Sequence, residues 1–310
     1  MLQVKGWPIS GARPSRLSAL DSLAPLRYKP HVLVFLNGQF VPEAQALVPI
    51  NDRGFMYGDG LFETMRVVNG RPFRLAQHLE RLLRGAVFLK IKCPFGPKEL
   101  RDFAAQLIKK NQMPEAILRV VLTRGPGERG YTPGAGGKPT LAMSLHAAPP
   151  LDPENPARWS LITSSIRIPA GDPMASFKTT NKLAHVVARM EAVEQGADEA
   201  LLLNTNGEVA EVASGNLFWI SGGRVCTVPT GCSALPGVTR AVVLEICQSL
   251  GLQTNERVVK PGTLRHSEGI FITQSVFGIV PVVALNGKPV ALSPLVDRVR
   301  RAYREMLSRP

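Results

Sequence analysis

Asn-Gly pairs set between short apolar runs constrain this chain more than any other feature. In HVLVFLNGQFVP, Asn37-Gly38 separates two strand-like stretches, and in LFETMRVVNGRPF, Asn69-Gly70 does the same. A tight hairpin turn needs positive φ at its central residues, which asparagine and glycine adopt at least strain. EALLLNTNGEVAEV predicts a further hairpin, and the SGGR turn after the strand NLFWI another. AILRVVLTR and TLAMSLHAAP read as strands bracketing a glycine-rich loop, and SLITSSIRI as a strand opening the second half. Helices are predicted over residues 75–90, with Leu79, Leu82, Leu83 and Val87 as an apolar stripe, over KELRDFAAQLIKKNQ, after Lys178, and near 237–250. Strands come in hairpins and not in repeated βαβ units, so the expected class is α+β with mostly antiparallel sheets.

At 310 residues the chain has room for one large domain or two ordinary ones. PPLDPENPA, residues 149–157, holds four prolines in nine positions. Proline has no N–H to donate inside a helix or sheet, so this stretch reads as a linker between lobes at 32–148 and 158–310. Residues 1–31 are rich in Pro, Ser, Gly and Arg without periodicity. They read as a disordered N-terminal extension, with an organelle presequence or a start placed too early as alternatives.

Composition narrows the function classes. No apolar run approaches the roughly 18 residues of a membrane span, so no membrane partner is expected. The cysteines, Cys93, Cys226, Cys232 and Cys247, form no CxxC pair and have no histidine at zinc-ligand spacing. They read as free thiols of a reducing, cytoplasmic setting, a Cys226–Cys232 disulfide being the alternative, and no metal site is visible. Net charge is +13, but residues 1–31 contribute +4 and residues 297–310 contribute +3. There is no basic stripe interleaved with aromatics, which argues against nucleic acid as partner. An excess of cations suits anionic substrates and a phosphorylated cofactor.

Gly125-Pro-Gly127-Glu-Arg-Gly130 satisfies GxGxxG literally and follows a strand. A dinucleotide site needs a helix immediately afterwards to meet the pyrophosphate, and YTPGAGGKPT cannot supply one. The stretch reads instead as a loop over a pocket, with Arg124, Arg129 and Tyr131 as candidate anion contacts, or as an ordinary long hairpin loop.

Lys178, in ASFKTTNKLAHVV, stands just before a predicted helix that Thr179, Thr180 or Asn181 is placed to cap. Leu183, Val186, Val187, Met190 and Val193 share one face of that helix, and Gly196 ends it. The positive end of a helix disfavours an ammonium and lowers its pKa, as a nucleophilic or basic lysine requires. Alone, such a lysine is usually surface decoration. Thirty-three residues on, Glu211 lies in GEVAEVAS and points with Val209 and Ala213 if the strand is regular. Arg81 shares a helical face with His78. In LPGVTR, Gly237, Val238 and Thr239 open a helix whose free N–H groups, with the Thr239 hydroxyl, make an anion site. A lysine, a carboxylate, an arginine and a helix N-terminus are the parts a pyridoxal phosphate enzyme needs: an amine for a Schiff base, a partner for the pyridine nitrogen and two phosphate anchors.

The chain resembles the class IV aminotransferases, the pyridoxal-phosphate enzymes of fold type IV. The matching stretches are NDRGFMYGDGLFETMRV (51–67), HLERLLRGA (78–86), FKTTNKL (177–183), GADEALLLNTNGEVAEVASGNLFWI (196–220) and ALPGVTR (234–240). The resemblance runs from about Val34 to near residue 285 and implies the two-lobed fold of the D-amino acid aminotransferases. It implies pyridoxal 5'-phosphate as cofactor, Lys178 as the lysine that holds it and shuttles the substrate proton, and Glu211 as the partner of the pyridine nitrogen. Arg81, Val238 and Thr239 then match phosphate contacts, as do Ser275 and Val276 in FITQSVFGIVPV more loosely. A homodimer with sites at the subunit interface is implied too.

Within the family, branched-chain aminotransferases carry a tyrosine after the asparagine of the lysine motif, and D-amino acid aminotransferases an apolar residue. The lyases tend to carry a basic one, and this chain has Lys182. TRGPGERGY and the Trp219 that ends NLFW also resemble 4-amino-4-deoxychorismate lyases. The resemblance therefore implies pyruvate elimination to 4-aminobenzoate, a step of folate biosynthesis, on an amino substrate bearing carboxylates. Lys182 as a plain solvated helix residue, and a branched-chain or D-amino acid aminotransferase, remain the alternatives.

Overall fold

A computed structural model describes residues 32–134, 137–152 and 156–308. The extension read over residues 1–31 lies outside the described residues, as does the centre of the proline-rich stretch. The two Asn-Gly pairs sit where the sequence puts them. β1 (Leu33–Leu36) and β2 (Gln39–Pro42) flank Asn37 (φ 49°) and Gly38 (φ 97°). Asp52 then caps a short helix, α1 (Arg53–Tyr57). β3 (Gly60–Val68) and β4 (Arg71–Pro72) flank Asn69 and Gly70, again at positive φ. Helices α2 (Leu75–Phe88) and α3 (Pro97–Asn111) follow, then β5 (Ala116–Thr123) and β6 (Thr140–Ala147).

These strands form one sheet in the order β2-β1-β6-β5-β3-β4, every pair antiparallel. Leu79 and Leu82 of α2 and Leu100 and Leu107 of α3 join Phe35, Leu61 and Met65 in one core. Val87, read as part of the α2 stripe, is instead 79% exposed, and Gly85 and Ala86 take the inward places. The helical period sets residues 78–79, 82 and 85–86 on one face, and Val87 is one step round from it. After GxGxxG the described residues, 131–134 and 137–139, form irregular loop and not a helix.

The second half builds a mixed sheet from β7 (Trp159–Ile168), β8 (Glu199–Asn204), β9 (Val209–Val212), β10 (Asn216–Ser221), β11 (Arg224–Thr227), β12 (Thr254–Glu256), β13 (Gly269–Gln274), β14 (Gly278–Leu285) and β15 (Lys288–Pro289). Its order is β12-β11-β10-β13-β14-β7-β8-β9, with β15 on β14. Pairs β11–β12, β14–β7 and β7–β8 are parallel and the others antiparallel. Four helices accompany it: α4 (Leu183–Glu194), α5 (Val238–Ser249), the single turn α6 (Pro261–Leu264) and α7 (Pro294–Ser308). Val242, Val243 and Ile246 of α5, with Val299 and Tyr303 of α7, pack on Phe218, Ile220 and Phe271. Both faces of this sheet are covered, which is why its strands read as near-continuous apolar runs. All four cysteines are free thiols.

α4 departs from the sequence reading in two ways. It begins at Leu183, and Lys182 precedes it without a side-chain cap. It also docks on β7 and β8 through the small residues Ala188 and Ala192, leaving the bulky stripe outward: Leu183 is 74% exposed, with Val186, Met190 and Val193 about half exposed. Alanines let a helix approach a sheet closely, so the inner face is the one with the least side chain.

The residues expected to cap α4 tie the chain to the first sheet instead. Phe62 N–H donates to the Lys178 carbonyl (2.9 Å), Thr180 N–H to the Gly60 carbonyl (3.0 Å), and Leu61 bridges Thr179. Thr180 Oγ1 and Asn181 Nδ2 both donate to the Gly58 carbonyl, at 2.7 and 3.1 Å. Gly58 has φ 64°, and a Cβ there would meet Asn181 Oδ1 at 2.2 Å, so both backbone and space demand glycine.

Asp52 anchors the approach to this junction. Its fully buried carboxylate accepts from Gly54 N–H (2.8 Å), Thr123 Oγ1 (3.0 Å) and Thr140 Oγ1 (2.7 Å). Asp52→Ala removes the α1 cap and leaves two buried hydroxyls without their acceptor, a predicted loss of about 3 kcal/mol of unfolding free energy. Denaturant titration of the full chain measures it, and an unchanged midpoint would contradict the packing described.

Candidate active site

Four elements converge around Lys178. On β3, the alternation Leu61, Glu63, Met65, Val67 points one way, and all four residues are buried. An acid in that series needs partners, and α2 supplies them from the face that His78 and Arg81 share. Arg81 grips Glu63 with Nε to Oε1 and Nη2 to Oε2, both at 2.7 Å, and His78 Nδ1 lies 2.6 Å from Oε2. Arg81 Nη1 donates onward to the Pro236 carbonyl at 2.9 Å, just before α5. Glu63 is held down to about 2 because these partners outweigh the large opposing effect of its burial. Burial likewise pushes the His78 imidazole down, with Glu63 opposing.

At the start of α5, Val238 and Thr239 are buried and occupy the first turn, where backbone N–H groups have no intrahelical acceptor. Gly237 precedes them, and a Cβ there would meet Asn216 Oδ1 at 2.0 Å. Asn216 Nδ2 donates to the Leu235 carbonyl at 2.8 Å and so fixes the approach to the helix. Burial pushes the phenol of the neighbouring Tyr303 up to about 12, with Thr239 opposing. Ser275 and Val276 lie in the half-buried turn between β13 and β14, and Arg66 Nη1 donates to the Val276 carbonyl at 2.9 Å.

Glu211 is buried on β9. That strand is not regular: pairing with β8 slips between Leu202 and Leu203, so simple alternation with Val209 fails as a guide. All four residues of β9 are buried. Glu211 Oε2 accepts from Leu235 N–H at 2.9 Å, and Oε1 lies 2.9 Å from His185 Nε2.

Lys178 Nζ lies 4.6 Å from the centre of the Phe62 ring. Its pKa falls to about 8, first because the amine is stripped of water and next because Arg81 repels it, with Glu63 and Glu211 opposing. The cause expected from sequence, a helix N-terminus directly behind the lysine, is not the operative one, since α4 begins only at Leu183. Lys182 is lowered as well, chiefly by burial, and it too feels Glu211 and Arg81. The structure thus brings together Lys178, Lys182, Glu211 and Arg81 from motifs spread over more than a hundred residues.

The loop candidates stand apart. Arg124 is committed to Asp59, with Nε to Oδ2 at 2.7 Å and Nη2 to Oδ1 at 2.9 Å, and to the carbonyls of Leu89 and Lys90. It and Tyr131, 90% exposed, line a cavity of about 330 Å³ with Thr179, Asn181 and Met174. Arg129 is exposed and is not among the residues lining it. Sequence reading gave no role to Arg53, which holds this loop through the carbonyls of Glu128, Gly130 and Tyr131. It also missed Glu63 and His185; for Glu63 the signal was available, an acid alternating with Leu61, Met65 and Val67.

The Glu63 pairing makes an acid-side prediction. A carboxylate whose folded value lies near 2 against an ordinary 4.5 contributes stability fully present above pH 4.5 and lost as pH falls through about 2. The loss amounts to about 3 kcal/mol. Glu63→Gln is expected to lower stability at pH 7 and flatten that acid limb, as read from unfolding free energy against pH. A variant with the same acid limb as the parent would place the proton uptake elsewhere.

The amino-transferase class IV family model matches residues 60–285. A Methanocaldococcus jannaschii protein, provisionally named a branched-chain-amino-acid aminotransferase, is 35% identical over 83% of this chain and 89% of its own length. The D-alanine aminotransferase of Bacillus licheniformis is 30% identical over 88% and 96%. Among solved structures, the branched-chain amino acid aminotransferase of Escherichia coli superposes with TM-score 0.84 at 26% identity, covering 89% of this chain and 94% of that one. A Legionella pneumophila protein provisionally named 4-amino-4-deoxychorismate lyase gives TM-score 0.80 at 26% identity, covering 85% and 97%. Enzymes of this kind work with pyridoxal 5'-phosphate, and another branched-chain aminotransferase of this fold is solved with pyridoxamine 5'-phosphate. A weakly basic, half-buried lysine, a buried carboxylate and a helix N-terminus beside an arginine form a donor set that fits such a cofactor. With the fold, the charged cluster and these matches agreeing, the chain belongs to the class IV aminotransferases.

Proposed function

We propose that this enzyme is a 4-amino-4-deoxychorismate lyase, releasing pyruvate and leaving 4-aminobenzoate. The observation that carries the reading is Lys182. It is half-buried and feels the charges of Glu211, Arg81 and Asp172. A second cation beside the reacting amine suits a substrate with two carboxylates and has no evident use for a small apolar amino acid.

In this reading Lys178 is the residue that holds the cofactor. A value near 8 leaves a useful fraction of its amine unprotonated at neutral pH, as attack on a carbonyl requires. Bound pyridoxal 5'-phosphate supplies an electron sink for the pair left when a substrate carbon loses its proton. Glu211 would pair with the ring nitrogen and favour its protonated form. Arg81 and the first N–H groups of α5 at Val238 and Thr239 would hold the phosphate, with the Ser275–Val276 turn as a further contact. Lys178 Nζ would also be placed to take the proton from the amine-bearing carbon of the substrate. Phe62, packed against Lys178, keeps water from that nitrogen.

The second reading, a branched-chain or D-amino acid aminotransferase, is favoured by the names of the curated relatives and shares every residue above except Lys182. The full chain loaded with cofactor is expected to form 4-aminobenzoate from 4-amino-4-deoxychorismate with no keto-acid acceptor. Lys178→Ala is expected to abolish both product and the protein-bound cofactor absorbance, and Lys182→Ala to raise KM about tenfold while sparing that absorbance. Absence of product, together with turnover of leucine or D-alanine with 2-oxoglutarate, would overturn the lyase reading.

The working assembly is proposed to be a homodimer. The exposed stripe Leu183, Val186, Met190 and Val193 supports this, because bulky apolar residues in a row on one helix are costly to leave in water. Light scattering on the full chain is expected to give twice the monomer mass. A monomer at micromolar concentration would contradict it.

A further inference from the structure

We infer that His185 is a positioning residue that holds Glu211 Oε1 and so fixes how the carboxylate is presented to the cofactor ring. The inference rests on the reading of Glu211 given above. His185 lies in the first turn of α4, seven residues after Lys178. Its Nε2 is 2.9 Å from Glu211 Oε1, and both side chains are largely buried. The other ring nitrogen, Nδ1, is buried and has no hydrogen-bond partner among the described residues.

That orphaned nitrogen decides where the proton sits. With the ring neutral and the proton on Nε2, the N–H donates to the carboxylate, and Nδ1 presents only a lone pair. With the proton on Nδ1, a buried donor goes unpaired, and the lone pairs of Nε2 and Oε1 oppose each other unless the carboxyl is itself protonated. An imidazolium would bury a charged N–H without an acceptor. The first arrangement leaves least unsatisfied, because a bare buried lone pair costs less than a bare buried donor or charge.

Two neutral donors then serve Glu211, one per oxygen: His185 Nε2–H on Oε1 and Leu235 N–H on Oε2. Each oxygen is thus held by one donor and keeps a lone pair for the ring nitrogen, so the carboxylate cannot turn without breaking a hydrogen bond. The Leu235 donor is backbone and beyond reach of substitution. His185 is the adjustable half of the arrangement.

Glutamine tests this sharply, since its amide nitrogen reaches the place of Nε2, whereas asparagine is one carbon short. Pyridoxal 5'-phosphate is titrated into the full chain, following bound absorbance, for the parent, H185Q, H185N and E211Q. H185N is expected to weaken binding about tenfold or more, the scale of a lost hydrogen bond to a charged group, and H185Q to stay within about threefold of the parent. Independently, long-range 1H–15N correlation on the parent holoenzyme, with histidine labelled, is expected to show His185 protonated at Nε2 and bare at Nδ1. That measurement needs no variant to fold. A proton on Nδ1, parent-like binding in H185N, or H185Q failing as H185N does would each overturn the inference. If E211Q is impaired while H185N is not, only the role of His185 falls. If E211Q binds cofactor with unchanged affinity and absorbance, the reading of Glu211 falls and takes this one with it.

Discussion

The contact between Arg81 and Glu63 is the one on which the site depends. A fully buried carboxylate on β3 tolerates its setting only because an arginine meets it with two N–H groups and a histidine with a third contact. Removing either charge would leave the other stranded, which costs far more than the pair contributes relative to an apolar core. The same guanidinium then reaches the Pro236 carbonyl, so the position of α5 is set from α2 and β3. One side chain thereby joins the first sheet to the helix end proposed to hold phosphate, and its remaining positive charge faces Lys178.

That charge has a chemical consequence. An exposed lysine keeps its proton until the pH nears about 10, and this chain needs one that does not. Desolvation alone would lower Lys178, and Arg81 and Lys182 push the same way while Glu63 and Glu211 restrain the fall. The balance leaves the amine near 8, between a permanent ammonium and a group that never charges. Its backbone, fastened to β3 through Phe62, Leu61 and Gly60, holds the amine still while its charge state varies.

Legibility in the sequence followed the range of the interactions. Asn37-Gly38 and Asn69-Gly70 fold as hairpins because the turn geometry is a property of those two residues themselves. Glu63 was readable in principle, since an acid in register with Leu61, Met65 and Val67 has nowhere to go but inward. The stripe on α4 misled for the opposite reason. Periodicity reports that a face is apolar, not which face the sheet takes, and here Ala188 and Ala192 won the inner place. Thr180 and Asn181 likewise carry good capping side chains, but the Gly58 carbonyl claims them first. His185 gave no signal, because its partner lies on a strand 26 residues later.

By itself the sequence determined the hairpins, the antiparallel bias, the failure of GxGxxG as a dinucleotide site, and the motifs that resemble class IV aminotransferases. Each of these is local, fixed by turn chemistry, by periodicity or by residues adjacent in the chain. Tertiary structure alone decided that Lys178 is a weak base, that Lys182 is drawn into the charged cluster, that Arg124 is spent on Asp59, and that Glu211 finds its side-chain partner on α4. Those outcomes are electrostatic, and electrostatics depends on burial and on distances between residues far apart in the chain, which no reading along it contains.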